Sequence, residues 1–201
     1  MGFLAGAYAS GRFCIWRLVG EELEEVQSFS VGENKISTLA VNDGCTWLAL
    51  GIKSLGQLLV WEWKSQSYII NQRGLIFETR ALAYNGVSNY ATGNNEGAIR
   101  LWDSASQFST GLFQDHQAAV SALKFSNPTT LFSSSLDGSV HAYDVTKQRR
   151  FRVFSPDKRS QLVCLETDPN GEVVFAGAFD PYDVYAWNVQ TGHLLQVISG
   201  H

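Results

Sequence analysis

One residue class recurs at a nearly constant distance along this chain. Aromatic residues preceded by alternating apolar positions stand at Trp16, Trp61, Trp102, Tyr143 and Trp187, at separations of 45, 41, 41 and 44 residues. Three positions before each ring are Phe13, Leu58, Ile99, Val140 and Val184, and one before are Ile15, Val60, Leu101, Ala142 and Ala186. Side chains in a strand alternate between faces, so apolar residues at spacing two that end in a ring mark a strand. Five positions before the ring a glycine recurs, at Gly11, Gly56, Gly97 and Gly138, where the turn into the strand needs a residue tolerant of positive φ; the fifth copy has Tyr182 instead. A period of roughly 40 to 45 residues is that of one four-stranded propeller blade.

The remaining strands arrange themselves around this anchor. First strands are expected at Ile36 to Val41, Thr79 to Tyr84, Val120 to Phe125 and Leu162 to Thr167, and second strands at Trp47 to Leu50, Tyr90 to Gly93, Leu131 to Ser135 and Val173 to Gly177. Turn residues separate them at Asn42-Asp43-Gly44, Asn85-Gly86, Asn127-Pro128 and Pro169-Asn170-Gly171. Outer strands follow the rings at Val26 to Phe29, Ser67 to Ile70, Ser109 to Phe113, Arg150 to Phe154 and Leu194 to Ile198. Composition agrees, with six Trp, seven Tyr, twelve Phe and 18 Gly against 17% charged residues, the profile of many short strands and tight turns. A β-sandwich would give the alternation but not the fixed phase of ring, glycine and turn. The expected fold is therefore all-β, a propeller of four-stranded blades with blades near 1–30, 31–72, 73–114, 115–155 and 156–201. The sequence opens in a second strand near Phe3 and stops at Gly200-His201, where a new first strand should begin. Seven blades need about 290 residues at this period, so about five blades of an expected seven are present and the chain reads as a piece of a longer protein.

Asp103 directly after Trp102, Asp144 after Tyr143, and Gly200-His201 make the repeat similar to the WD-repeat family. That resemblance implies a buried hydrogen-bonded chain from a His before the first strand, a Ser or Thr on the second, an Asp in the next turn and the ring on the third. The fourth repeat holds it most completely, as His116, Ser135, Asp137 and Tyr143. The same residue types would serve a catalytic triad, but their spacing and strand placement favour the structural chain. Other repeats depart from the pattern, with Glu96 at the Asp position of the third and Pro181 in the fifth.

Charge and motif content narrow the function. The net charge of −4 and pI near 5.5 exclude a generally basic nucleic-acid-coating protein. Phosphate-binding glycine loops, zinc-protease motifs and nucleophile elbows do not occur, and His116, His141, His193 and His201 lie too far apart for a local metal box. Cys14, Cys45 and Cys164 are odd in number and without Cys-x-x-Cys spacing, as expected of reduced thiols. No apolar run of about 18 residues exists, so no membrane partner is expected. One local feature stands out: Lys147, Arg149, Arg150, Arg152, Lys158 and Arg159 against only Asp157 give +5 within a chain of −4. With Phe151 and Phe154 interleaved, this stripe would suit an RNA backbone or an acidic protein surface; its plainer role is to guard an outer strand against edge pairing. Glu21, Glu22, Glu24 and Glu25 read as a solvated loop.

A closer similarity, running through nearly all of the chain, is carried by Leu55-Gly56-Gln57-Leu58-Leu59-Val60-Trp61-Glu62-Trp63, by Leu136-Asp137-Gly138-Ser139-Val140, and by Trp187 to His201. These segments resemble WD-repeat components of ribosome assembly. The resemblance implies a non-enzymatic scaffold with two propellers, in the UtpB group of the small-subunit processome. It would act in the nucleolus beside the box C/D ribonucleoprotein and pre-rRNA, with no cofactor and no small-molecule substrate. The alternative is a WD-repeat adaptor of another complex, a substrate receptor or signalling scaffold.

Overall fold

The computed structural model describes residues 2–33, 35–41, 46–52, 57–72, 78–106 and 108–199. The expected turn Asn42-Asp43-Gly44, Cys45, Leu55-Gly56 and Gly200-His201 lie outside the described residues. Every regular element among the described residues is a strand, and the chain divides into two compact units, Met1–Thr79 and Arg80–His201.

The first unit holds two antiparallel sheets. β1 (Gly2–Ala7), β2 (Arg12–Val19) and β3 (Glu22–Ser30) pair in sequence order, as do β4 (Ile36–Val41), β5 (Trp47–Ile52), β6 (Gln57–Glu62) and β7 (Ser67–Gln72). Phe13, Ile15, Leu48, Leu50, Ile52, Leu59 and Trp61 form their common core. The acidic run is not a loop: Glu22, Glu24 and Glu25 lie on β3 itself, Arg17 donates to Glu24, and Arg12 stands 3.8 Å from Glu25. Opposite charges facing across β2 and β3 extend the hairpin beyond its apolar part.

The second unit is three consecutive sheets. They are β8 (Thr79–Tyr84), β9 (Asn89–Asn94), β10 (Ile99–Asp103) and β11 (Ser109–Phe113); β12 (Val120–Asn127), β13 (Thr130–Ser135), β14 (Val140–Asp144) and β15 (Arg149–Phe154); and β16 (Leu162–Thr167), β17 (Val173–Ala178), β18 (Val184–Asn188) and β19 (Leu194–Ile198). Period-two alternation splits the middle sheet's side chains between two cores. Leu131 and Tyr143 pack with Ile99, Leu101 and Phe113, whereas Phe132, Val140, Ala142 and Phe154 pack with Leu162, Val174, Tyr185 and Trp187.

Each repeated ring marks a bulge. The ladder between third and outer strands shifts register between Ile15 and Trp16, Val60 and Trp61, Leu101 and Trp102, Ala142 and Tyr143, and Ala186 and Trp187. A bulge increases local twist, so the period places one bend at the same point of every blade.

The recurring glycine has a second duty beyond its turn. Gly11, Gly97 and Gly138 have φ of 78°, 83° and 87°. A Cβ on Gly97 would lie 2.4 Å from the His116 carbonyl oxygen and 2.9 Å from that of Ala118; one on Gly138 would lie 2.9 Å from the Ser160 carbonyl oxygen. The turn of one blade thus runs against the backbone entering the next, and backbone cannot swing aside. Gly97→Ala is expected to lower the unfolding free energy by roughly 1–3 kcal/mol, read from the urea midpoint. In the fifth repeat Tyr182 keeps the same left-handed conformation, with φ of 64°.

Candidate functional site

The most connected polar cluster sits on the face of the β12–β15 sheet turned toward β8–β11. His116, in the segment leading into β12, donates from Nδ1 to Asp137 Oδ2 at 2.9 Å, and its Nε2 meets Ser133 Oγ at 2.7 Å. Asp137 also accepts the Gln117 amide at 3.0 Å, the Ser139 amide at 2.9 Å and the Ser139 hydroxyl at 2.6 Å. Because the Ser139 proton is committed to Asp137, its oxygen accepts from His141 Nε2 at 3.1 Å, and His141 Nδ1 accepts the Tyr143 hydroxyl at 3.1 Å. The His116 and His141 rings stack at 3.8 Å with 6° between planes.

The serine of this chain is Ser133, two positions before the expected Ser135. Ser133 pairs with His141 within the ladder, two residues from Leu131 opposite Tyr143 and on the same face, so its hydroxyl lies in the sheet beside the rings. Ser135 stands at the strand end, where its hydroxyl donates to the Ala118 carbonyl and accepts the Asp137 amide. The third blade repeats the inner arrangement, with Trp102 Nε1 donating to Thr92 Oγ1 at 2.9 Å. Thr92 and Ser133 are 41 residues apart, as are Trp102 and Tyr143, and that equal spacing was the available signal. Glu96 does not take the Asp role; Asn94 caps the turn instead, its side-chain Oδ1 accepting the Glu96 and Ala98 amides. Elsewhere the inner position is apolar, Leu50 beside Trp61's strand and Ala176 beside Trp187's, and Trp61 Nε1 reaches Gln27 on β3 at 3.5 Å. Trp16 lies across β1, where a Cβ on Gly6 would come within 2.9 Å of its ring.

Burial controls the protonation of the cluster. It pushes Asp137 up, but bonds from His116, Ser139 and the Gln117 amide outweigh it and hold the carboxyl well below the carboxylate range. Burial first, then the neighbouring His116 and Arg150, pushes His141 down to about 3, so its imidazole is neutral. Burial raises the Tyr143 phenol, which stays a donor. Asp137, His116 and Ser133 have the connectivity of a hydrolase triad, but Ser133 is wholly buried and no substrate reaches its oxygen. Among the described residues no group of three or more His, Cys, Asp or Glu is placed to hold a metal.

The basic stripe is divided by the fold. Arg150 pairs with Asp115 at 3.2 Å and Lys147 with Asp144 at 3.4 Å. Arg152 is structural: its guanidinium donates to the Gln190 and Thr191 carbonyls at 3.0 and 3.2 Å, tying β15 to the turn after β18, and a Cβ at Gly192 would come within 2.6 Å of its Nη1. Phe154 is core rather than surface, since alternation turns it inward, while Phe151 is exposed. Arg149, at one end of β15, and Lys158 and Arg159, in the segment beyond its other end, are exposed and in no ion pair among the described residues.

Five sheets of antiparallel strands in sequence order, with a repeated bulge, a glycine turn and a buried His–Asp–Ser chain, define a WD-repeat β-propeller, here incomplete. The family described as "WD domain, G-beta repeat" matches residues 107–144, and the chain is a WD-repeat protein. Within that class its sequence follows periodic tryptophan protein 2 nearly end to end. It is 44% identical to periodic tryptophan protein 2 of Saccharomyces cerevisiae over 200 residues, 98% of this chain and 22% of the relative. To the Dictyostelium discoideum homolog it is 35% identical over 198 residues, 96% of this chain and 21% of the relative. A shorter similarity, 34% over 91 residues, covers 44% of the chain and 17% of the rice pre-mRNA-processing factor 19. The chain spans about a fifth of the length of the periodic tryptophan protein 2 relatives.

Proposed function

We propose that this chain is part of a non-catalytic scaffold of ribosome biogenesis, a UtpB-group component that helps assemble the small-subunit processome in the nucleolus. There it would meet the box C/D ribonucleoprotein and pre-rRNA. The observation that carries the reading is the match over nearly the whole chain to periodic tryptophan protein 2, at 44% identity in yeast. It fits a fold whose polar centre is sealed inside a sheet interface, leaving rims and outer strands for partners. The decisive experiment is affinity purification of the full-length protein, scored for processome proteins and pre-rRNA. Their absence overturns the proposal in favour of an adaptor in another complex, the reading toward which the similarity to pre-mRNA-processing factor 19 points.

The blades also belong to a larger propeller in this reading. Ile198 pairs with Val184 as Phe154 pairs with Val140 and Phe113 with Ile99. Phe154 and Phe113 are 2% and 5% exposed, but Ile198 is 42% exposed, so the fifth sheet presents the face that the third and fourth bury. A further blade would cover it.

If RNA is contacted directly through the stripe, its cations in no ion pair among the described residues are Arg149, Lys158 and Arg159. Reversing these three to Glu in the full-length protein is expected to reduce pre-rRNA crosslinking and flatten its salt dependence. Arg152→Glu is expected to lower stability instead, because it removes the two carbonyl bonds between β15 and the following sheet. Unchanged crosslinking in the triple variant would remove direct RNA binding through this surface.

A further inference from the structure

Tyr182 breaks the repeat in sequence while keeping it in conformation. At the equivalent turn Gly97 and Gly138 take positive φ without penalty, whereas Tyr182 holds φ of 64° with a bulky side chain. A bulky residue is strained in that conformation unless something recompenses it, and this ring recovers little by burial, being 55% exposed. Its ring partner among the described residues is Phe179, itself 57% exposed, at 5.9 Å and 61°. Two large aromatic faces thus stand in water on the β17–β18 turn. The turn is anchored by the Phe179 amide on the Gln161 carbonyl at 2.8 Å and the Ala178 amide on the Asp183 carbonyl at 2.8 Å.

The charges around the rings identify what they would take. Asp180 lies between the two rings in sequence and Asp183 directly follows the second, and neither carboxylate is in an ion pair or hydrogen bond among the described residues. An aromatic face attracts a cation through its quadrupole, and a guanidinium combines that stacking with a fork of donors for a carboxylate.

We propose that the Phe179–Tyr182 pair with Asp180 and Asp183 is a docking site for an arginine-bearing segment of a partner protein. A nucleic acid would stack on the rings but would meet two carboxylates there, and it is therefore the disfavoured occupant. The site stands on residues that the ribosome-assembly reading does not use, so either can fail without the other.

The test uses the full-length protein and a fluorescent ten-residue peptide alternating Arg and Gly, followed by anisotropy across a salt series. Binding is expected to weaken with salt and to fall at least tenfold in Tyr182→Gly and in the Asp180→Asn/Asp183→Asn double variant. Tyr182→Gly is expected at the same time to keep or raise the urea midpoint, because it restores the residue that the sister turns carry. That divergence of binding from stability is what a purely structural role would not give. Equal peptide affinity in wild type and both variants overturns the proposal. So does a ten-residue oligouridylate that binds wild type and loses its affinity in Tyr182→Gly, which would make the rings a nucleic-acid platform.

Discussion

His116→Ala is expected to lower the unfolding free energy by about 2–4 kcal/mol, the loss of a hydrogen bond to a charged group together with the void left behind. The imidazole serves two groups at once, the Asp137 carboxylate through Nδ1 and the Ser133 hydroxyl through Nε2. Its loss leaves Asp137, whose side chain is 14% exposed, with an incompletely satisfied charge, and opens a void under the His141 ring that stacks on it. Thr92→Val in the neighbouring blade breaks one neutral bond, from Trp102, and is expected to cost only about 1 kcal/mol. A double-mutant cycle locates the chain: His116→Ala with Ser133→Ala should show coupling above about 1 kcal/mol, and His116→Ala with Ser135→Ala much less. The reverse order would return the serine role to Ser135.

That contrast also marks how far the sequence could be read. The strands were legible because a period-two pattern ending in a ring is a local signal: β4, β8 and β16 run over the expected residues. The identity of the buried serine was not, because Ser133 and Ser135 share a face of β13 and only depth relative to His141 separates them. Asp137 and His116 came from the resemblance to the WD-repeat family, which implies a His before the first strand and an Asp in the turn after the second, and they do meet. His141 and Ser139 were missed because one lies on the partner strand and the other is a common turn residue, and nothing local says that they meet. The basic stripe failed for a related reason. Six cations adjacent in sequence alternate between faces of β15 and lie beyond both its ends, so three are consumed by Asp115, Asp144 and two carbonyls. Tyr182 shows the opposite case, a departure in sequence that the backbone does not follow.

The buried imidazole of His141 should make the protein lose stability from mildly acidic pH. In the unfolded chain this histidine takes a proton near 6.5, while in the folded protein it does so only at about 3. Between those values the unfolded state binds more protons, so acid favours unfolding; the stability is complete above pH 6.5 and is lost as pH falls toward 3. One proton corresponds to a slope of about 1.4 kcal/mol per pH unit, which over this window amounts to several kcal/mol. Asp137, Asp103, Asp144, Asp168 and Glu166 are also held below their ordinary values and act with the same sign. Their unfolded-state titrations are centred near or below 4.5, so among these shifted groups His141 dominates the interval from about 4.5 to 6.5. Urea unfolding of the full-length protein across that interval should therefore show a slope near one proton, and His141→Gln, which keeps a side-chain donor and acceptor without the titration, should abolish most of it. A slope unchanged in His141→Gln would mean that another group carries the acid sensitivity, and that the neutral ring of His141 is not what ties it to the blade interface.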